Sequence, residues 1–321
     1  MAIKITALMI AVNQEDWIWW SLKSVYPAVD HIVIVEGVAR DKWCFPDAGK
    51  FFTLDGKSTD RTEEEIRRFM AEDDPDKKVE FFRVGFQPTI MCLRNFTLEY
   101  CPRDTDYVLV VDSDHLYDEK QLHDLRLQCE ARPGIRAARA EHLMFLWDMH
   151  HILMVDEVHV ARLQPTSFFF KYSPQVWYAR DRSFYDHILQ PRDWKSAGEI
   201  LSPPPFQFWH FGWMGPESKV ETHLLKDSWS RILRAKWLLE HNPESLKGSN
   251  RKFGVWARRR DSSTEELLAF HHTRHKLWTG TFNRSVGEHL ELYEGHYPLE
   301  GLIEQHPYWS KTKEEFGWGG V

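Results

Sequence analysis

The stretch VLVVDSDHLY, residues 108–117, runs four apolar residues straight into Asp112-Ser113-Asp114. A short apolar run rich in β-branched residues reads as a buried strand, here over residues 107–111. Two carboxylates one residue apart are costly to bury and repel each other, so they mark the rim of a sheet and not its interior. Working outward, the same grammar repeats. Residues 3–12, 31–35 and 78–84 are further apolar strands, the second closed by Glu36-Gly37. Helical spacing covers 15–25, 60–70, 89–100 and, past the carboxylates, 119–129. Asp60 stands where it can cap the second of these helices, and Glu63 three residues on completes a capping-box pattern. The order β-α-β-α-β-α-β-α over the first 130 residues predicts an α/β fold, a mostly parallel, Rossmann-like sheet flanked by helices. Such sheets bind ligands beyond the carboxyl ends of their strands, which is where Asn13, Glu36 and Asp112 fall.

The pattern loosens after residue 130. Residues 135–141 and 143–147 look extended, and 159–178 contains the run Phe168-Phe169-Phe170. SPPPFQFWHFGWMGP at 202–216 holds four prolines and two glycines and reads as a structured loop. Residues 217–241 form a long amphipathic helix, and the remainder mixes helix and loop. The expected division is a sheet domain over 1–215 and a helical C-terminal part over 216–321 packed on it.

Charge and cysteine usage narrow the class. Lys and Arg number 41 against 48 Asp and Glu, a net charge of −7, which excludes a general nucleic-acid binder relying on basic surface. A local basic pocket for a phosphate is still allowed. Cys44, Cys92, Cys101 and Cys129 form no CxxC pair and read as reduced thiols of a cytoplasmic protein. The apolar run at 5–12 is too short to span a bilayer, and the polar Asn13-Gln14-Glu15-Asp16 follows it in place of a cleavage site. No membrane span and no export signal are expected. Tryptophan is abundant, at 15 residues; its faces suit stacking on sugars or bases, although tryptophan mostly fills cores.

The carboxylates point to a cation. Asp112 and Asp114 can turn onto one side of an extended backbone, and oxygen ligands with open positions suit Mg2+ or Mn2+ held jointly with substrate phosphates. The bland alternative is a polar turn after a strand. His210, among the aromatics of FQFWHFGW, is the best third ligand, and an imidazole would favour Mn2+ over Mg2+. His271, His272 and His275 make a denser cluster, but on a helix such a cluster is more often surface.

Several segments in order resemble the nucleotide-sugar-binding half of family-2-type glycosyltransferases with the GT-A fold. They are ALMIAVNQEDWIWWSLKSVYPAVDHIVIVEG, DGKSTDRT, RNFTLEYC and DYVLVVDSD, together covering roughly residues 5–118, with HFGW a weaker later match. The resemblance implies a UDP-sugar donor contacted by Val12, Asn13, Glu15, Glu36, Asp60, Arg94, Asp112 and Ser113. It places Glu36 against the uracil edge, whose N–H a carboxylate can accept, and Asp112, Asp114 and His210 around Mn2+ or Mg2+. It implies a saccharide or glycoconjugate acceptor. VDHIVIVEG is also similar to glycoprotein β-1,4-N-acetylglucosaminyltransferases. Residues 37–54, with Trp43, Phe45, Phe51 and Phe52, intervene where most of the family has the uracil-reading acid and the Asp-Gly-Ser stretch contiguous. On the residues alone, Glu36 also fits a solvent-facing strand end, Asp60 a helix cap, and Arg94 either a phosphate or an acid partner.

An inverting transfer needs a carboxylate to deprotonate the acceptor hydroxyl. After residue 130 the candidates are Glu141, Asp148, Asp156 and Asp186, with Asp186 first and Asp148 second. Two rivals share parts of this pattern. One is a sugar nucleotidyltransferase, which usually carries a Gly-rich basic loop after the first strand that AVNQEDW lacks. The other is a non-catalytic carbohydrate-binding protein.

Overall fold

The computed structural model describes residues 2–40, 43, 48–145, 148–155, 158–159, 166–174, 199–212, 214, 290–312 and 315–316. Strand β1 (Ile5–Ala11), helix α1 (Ile18–Val25), β2 (His31–Ala39), α2 (Thr62–Glu72), β3 (Val79–Gln87), α3 (Ile90–Glu99) and β4 (Tyr107–Asp112) follow in the expected alternation. A short strand β5 (His115–Tyr117) then precedes α4 (Glu119–Ala131). Beyond it come β6 (Ile135–Met144), β7 (His151–Val155), β8 (Val158–His159), β9 (Thr166–Lys171), β10 (Glu199–His210) and β11 (Leu290–Leu292).

Eight strands form one sheet in the order β3-β2-β1-β4-β9-β6-β10-β5. The block β3-β2-β1-β4 is parallel throughout. Past β4, the antiparallel β9 bridges to β6, which pairs in parallel with β10, and β5 closes the edge antiparallel to β10. The fold is thus α/β and Rossmann-like, mostly parallel, with a mixed second half. A parallel strand covered on both faces is apolar along its whole length. Accordingly Ala7, Leu8 and Met9 of β1, Ile32 to Val35 of β2 and Val108 to Val111 of β4 are all at most 1% exposed. Each Leu, Met, Ile or Val among them contributes about 1.5–3 kcal/mol by leaving water, and an isolated charge there would cost more than that. Ionisable groups are thereby confined to the strand ends.

Three local expectations are corrected. First, β2 does not close at Glu36-Gly37; it continues to Ala39. The register against β3 shifts at that point, Glu36 facing Arg83 and Gly37 facing Gly85. A Cβ on Gly37 would lie 2.7 Å from Gly85 O, so glycine lets the ladder continue through the irregularity. Gly85, at φ +61°, meets the turn at Gly56, at φ +78°, and a Cβ on either would strike the other segment's backbone within 2.8 Å. Glycine adopts this left-handed backbone without steric cost, and the pair seats residues 53–58 on β3.

Second, Asp60 does not cap α2. The helix starts at Thr62, and Arg61 precedes it without a side-chain cap. Asp60, one residue further back, ties the first residue of the helix to the loop after β1: Oδ1 accepts from Thr62 N at 3.0 Å and Oδ2 from Glu15 N at 3.1 Å. Glu63 does not complete a capping box; it pairs with Arg67 at 2.6 Å and with Arg83.

Third, residues 202–210 are strand, not loop. Proline lacks the N–H that a ladder needs, which is why the sequence reads as broken. The pairing of β10 with β6 jumps from Leu201 to Phe206, so the prolines at 203–205 fall in the irregularity, as in a bulge. Similarly, 135–141 and 143–147 are not two pieces; β6 is one strand from Ile135 to Met144.

A second apolar cluster sits beyond the sheet's carboxyl edge. Trp17, just after β1, stacks on Phe211 (4.6 Å between ring centroids, 7° between planes) and on His306 (4.0 Å, 14°). Leu116, Phe145, Trp209, Ile303, Tyr308 and Phe316 complete it. His306 Nε2 donates to Asp16 O at 2.9 Å and its Nδ1 accepts from Tyr308 N at 3.0 Å. The expected helix at 217–241 and the cluster His271, His272 and His275 lie outside the described residues. Among the described residues no helix is long and apolar enough to cross a membrane.

Trp17 is fully buried between two rings, and truncating such a side chain leaves a cavity that neighbours fill only partly. Trp17→Ala is expected to lower unfolding free energy by about 3–5 kcal/mol. Leu54→Ala, at a fully exposed position, should stay within about 0.5 kcal/mol. Urea denaturation of both variants reads the difference.

Candidate functional site

The site is assembled by one turn and one register. β4 ends at Asp112, Ser113 and Asp114 make the turn, and β5 begins at His115. β5 pairs with the end of β10 so that His115 faces His210, Leu116 faces Trp209 and Tyr117 faces Phe208. Phe211 N donates to Asp114 O at 3.0 Å and locks the turn to the strand that follows. The carboxylates therefore meet histidines supplied from the far side of the sheet.

Asp114, His115 and His210 each offer one ligand atom, and these atoms all lie within 4.8 Å of one another. Asp114 Oδ1 is 3.7 Å from His115 Nε2, and Oδ2 is 3.5 Å from His210 Nε2. Asp114 and His115 are 7% and 3% exposed. The set is chemically that of a divalent cation site, one carboxylate with two imidazoles. Gly212 supports the fit. A Cβ there would lie 2.2 Å from Asp114 Oδ2 and 2.7 Å from His210 Nε2, so any side chain would sit on the two ligand atoms.

Asp112, the other expected ligand, divides its two oxygens between Arg94 and this cluster. Its Oδ1 accepts from Arg94 Nη2 at 2.7 Å, while Oδ2 lies 3.9 Å from His115 Nε2. Arg94 thus has an acid partner in Asp112. Burial pushes the Asp112 carboxyl up, but the Arg94 guanidinium and His115 outweigh it and hold it below the usual carboxylate range. Burial drives the His115 imidazole down to about 4. Burial and then the neighbouring His210 push His142 well below the ordinary histidine value. Both rings are therefore neutral near pH 7, the form in which imidazole binds a metal.

His142, on β6, completes the constellation. Its Nε2 is 2.9 Å from His210 Nδ1. The Phe208 ring packs against both His115 (4.2 Å, 25°) and His142 (4.9 Å, 17°) and fixes their planes.

The donor-side residues inferred from the sequence gather at the ends of β1 and β2. Val12 follows β1, and Asn13 turns the chain at φ +52°. Asn13 Nδ2 donates to Phe51 O at 2.5 Å and Oδ1 accepts from Thr59 N at 3.0 Å. Its backbone N donates to Ser58 Oγ at 3.1 Å. Glu15 Oε2 accepts from Arg61 N at 3.1 Å and pairs with Arg61 Nε at 3.2 Å. Glu36 is 2% exposed, not solvent-facing; Oε1 accepts from Ser58 N at 3.0 Å and Oε2 lies 3.6 Å from Arg83 Nε. Ser113 is buried in the β4–β5 turn. Together these contacts stitch residues 51–62 across the strand ends.

Of the candidate bases, Asp186 and Asp156 lie outside the described residues. Asp148 is 6% exposed, and its Oδ1 accepts from His150 N at 2.8 Å and His151 N at 3.0 Å. His151 Nδ1 stands 2.8 Å from Oδ1 and 2.9 Å from Oδ2 of the same carboxylate. Glu141 lies on β6 opposite Gln207.

His115, His142 and Gly212 are the site residues that sequence reasoning missed. His115 had a signal, being adjacent to Asp114 in DSDH. His142 had none, because only the β6–β10 pairing brings it to His210.

No protein-family model matches the chain, and no curated protein matches it in sequence. Among solved structures, S. aureus TarS 1-349 is 13% identical with a TM-score of 0.38, over 75% of this chain and 66% of that one. The same protein in complex with UDP-GlcNAc is 14% identical with a TM-score of 0.39, over 77% and 76%. The 4-diphosphocytidyl-2C-methyl-D-erythritolsynthase of Anaerococcus prevotii is 11% identical with a TM-score of 0.30, over 53% and 70%. Likeness at this level assigns no role to any residue here.

The buried neutral histidines set a pH dependence. Above pH 6.5 neither folded nor unfolded chain protonates them. Between about 6.5 and 4 the unfolded chain binds a proton at position 115 that the folded chain refuses, so stability falls as pH falls. Metal-free protein should lose up to about 1.4 kcal/mol per pH unit from His115 in this window. Chemical denaturation of His115→Gln across the same window should show a shallower decline, by one proton's share.

Proposed function

We propose that this chain is a nucleotide-sugar-dependent glycosyltransferase of the GT-A kind. It moves a sugar from a UDP-linked donor to a hydroxyl of a saccharide or glycoconjugate acceptor, with inversion. The observation that carries the reading is the meeting of Asp114, His115 and His210 at the carboxyl rim of the sheet, beside a glycine whose lack of a side chain leaves room at the ligand atoms. The ordered match of AVNQED, VEG, DGKSTDRT, RN and DSD to nucleotide-sugar motifs adds to it.

The proposed roles follow from the placement. Asp114 and His210, with His115, would hold Mn2+ or Mg2+. Such an ion would supply positive charge to offset the charge of a departing nucleoside diphosphate. Asp112 holds Arg94 at the same rim, keeping a cation in reach of a phosphate. Glu36 lies at the β2–β3 irregularity, and its buried carboxylate is the acceptor offered to a uracil N–H. Val12, Asn13, Glu15 and Asp60 shape the nucleotide side through the loop at 51–62, and Ser113 shapes the turn beside the diphosphate. Asp148 or Asp186 takes the acceptor's proton as its oxygen attacks the anomeric carbon, and the bond electrons leave with the nucleotide. The same reading takes the protein as cytoplasmic, with Cys92, Cys101 and Cys129 as free thiols. The helical C-terminal part at 216–321 would complete the acceptor side.

A panel of nucleotide sugars, screened by thermal shift with and without Mn2+, tests the donor. A ligand at 100 times its Kd stabilises the native state by about 2.7 kcal/mol, so one UDP-sugar should raise the melting temperature only when metal is present. Turnover should release UDP, and Asp114→Ala should lower it by about 100-fold or more with an unchanged circular dichroism spectrum. Pyrophosphate as the product would support a nucleotidyltransferase instead. Sugar binding indifferent to EDTA, with no turnover, would support a binding protein.

A further inference from the structure

We infer that His142 is the positioning residue of the cation site: its Nε2 accepts the Nδ1–H of His210, which leaves the His210 Nε2 lone pair aimed at the cation beside Asp114. The inference rests on the reading of Asp114, His115 and His210 as cation ligands.

Two imidazole nitrogens 2.9 Å apart must share one hydrogen, since two lone pairs or two N–H groups at that distance repel. Two arrangements satisfy this. In one, His142 donates to His210 Nδ1, and His210 carries its own hydrogen on Nε2, where it faces Asp114 Oδ2. That contact is 3.5 Å, well beyond the roughly 2.7–2.9 Å of an N–H bonded to a carboxylate. In the other, His210 donates from Nδ1 and presents a bare Nε2 to the site. Two ligands at about 2.0–2.1 Å from one ion stand roughly 3.0–3.4 Å apart, close to the observed 3.5 Å. The spacing suits two ligands of a common cation and not a hydrogen bond between them.

The surroundings hold His142 to this task. Its ring is stacked on Phe208, and Phe208 pairs with it across the β6–β10 ladder. Both strands are paired on either side of it, Glu141 facing Gln207 and Leu143 facing Trp209. An acceptor fixed on the second nitrogen of a ligating histidine sets its tautomer and ring orientation and raises its basicity. Here that acceptor is a neutral imidazole built into the neighbouring strand.

The test is cobalt binding to the full chain without nucleotide, read from the visible d–d bands. Wild type should bind Co2+ stoichiometrically. His142→Phe keeps a ring on Phe208 but removes the acceptor, and it should bind Co2+ about 10–100-fold more weakly. His142→Gln restores an acceptor oxygen and should recover most of that loss. Metal-free melting temperatures of the variants separate folding from ligation. Long-range proton–nitrogen spectra of the zinc-loaded wild type give a second reading that needs no variant, with His210 expected as the Nδ1–H tautomer. Wild-type cobalt affinity in a folded His142→Phe, or a zinc-loaded His210 protonated on Nε2, overturns the inference. Failure of every UDP-sugar to turn over, with cobalt binding as expected, would sink the glycosyltransferase reading and leave this one standing.

Discussion

A strand buried on both faces can carry charge only at its ends, and the chemistry of this chain follows from that constraint on β4. Four apolar residues of β4 are almost fully enclosed, so the first position at which a carboxylate is tolerable is Asp112. From there the chain has two residues in which to turn before β5 enters the ladder beside β10. The turn separates the two aspartates by their partners. Asp112 neutralises a buried arginine, and Asp114 is delivered to two histidines. A pair that looks symmetrical as DSD is asymmetrical in space because a strand end and a turn point their side chains in different directions.

The parallel half of the fold was legible because its signals are local. Apolar runs set β1, β2 and β4. What could not be read depends on pairing. β10 was hidden by its prolines, which are tolerated where the register with β6 slips. His210 was legible as a candidate but not as a strand residue opposite His115, and His142 reaches it from 68 positions earlier. Glu36 was found, yet its burial was not, because Gly37 lets β2 run on past it. Single residues of the right chemistry were therefore recoverable, while their grouping required the ladder.

The loop from 51 to 62 shows how a polar motif can be structural. Asn13, Glu15, Glu36 and Asp60 all bind backbone amides of that loop or of its neighbour. Backbone N–H groups need partners when withdrawn from water, and four side chains at the strand ends supply them. A loop held this way keeps its shape before any ligand arrives, which lowers the ordering cost of binding. The residues that resemble nucleotide contacts are also those that preorganise the rim.

The stacking of Trp17 between Phe211 and His306 has a bearing on how the protein is made. The hydrogen bond that accompanies it joins residues 290 positions apart, Asp16 to His306. Contacts of such separation form late, because loop closure must be completed before they stabilise anything. A ribosome releases chain at about 5–20 residues per second, so the parallel strands emerge well before the segment that seals their carboxyl edge. The nascent polypeptide accordingly spends many seconds with the flank of its carboxylate- and histidine-bearing rim open, and a message cut short near its end yields a sheet without its closing wall.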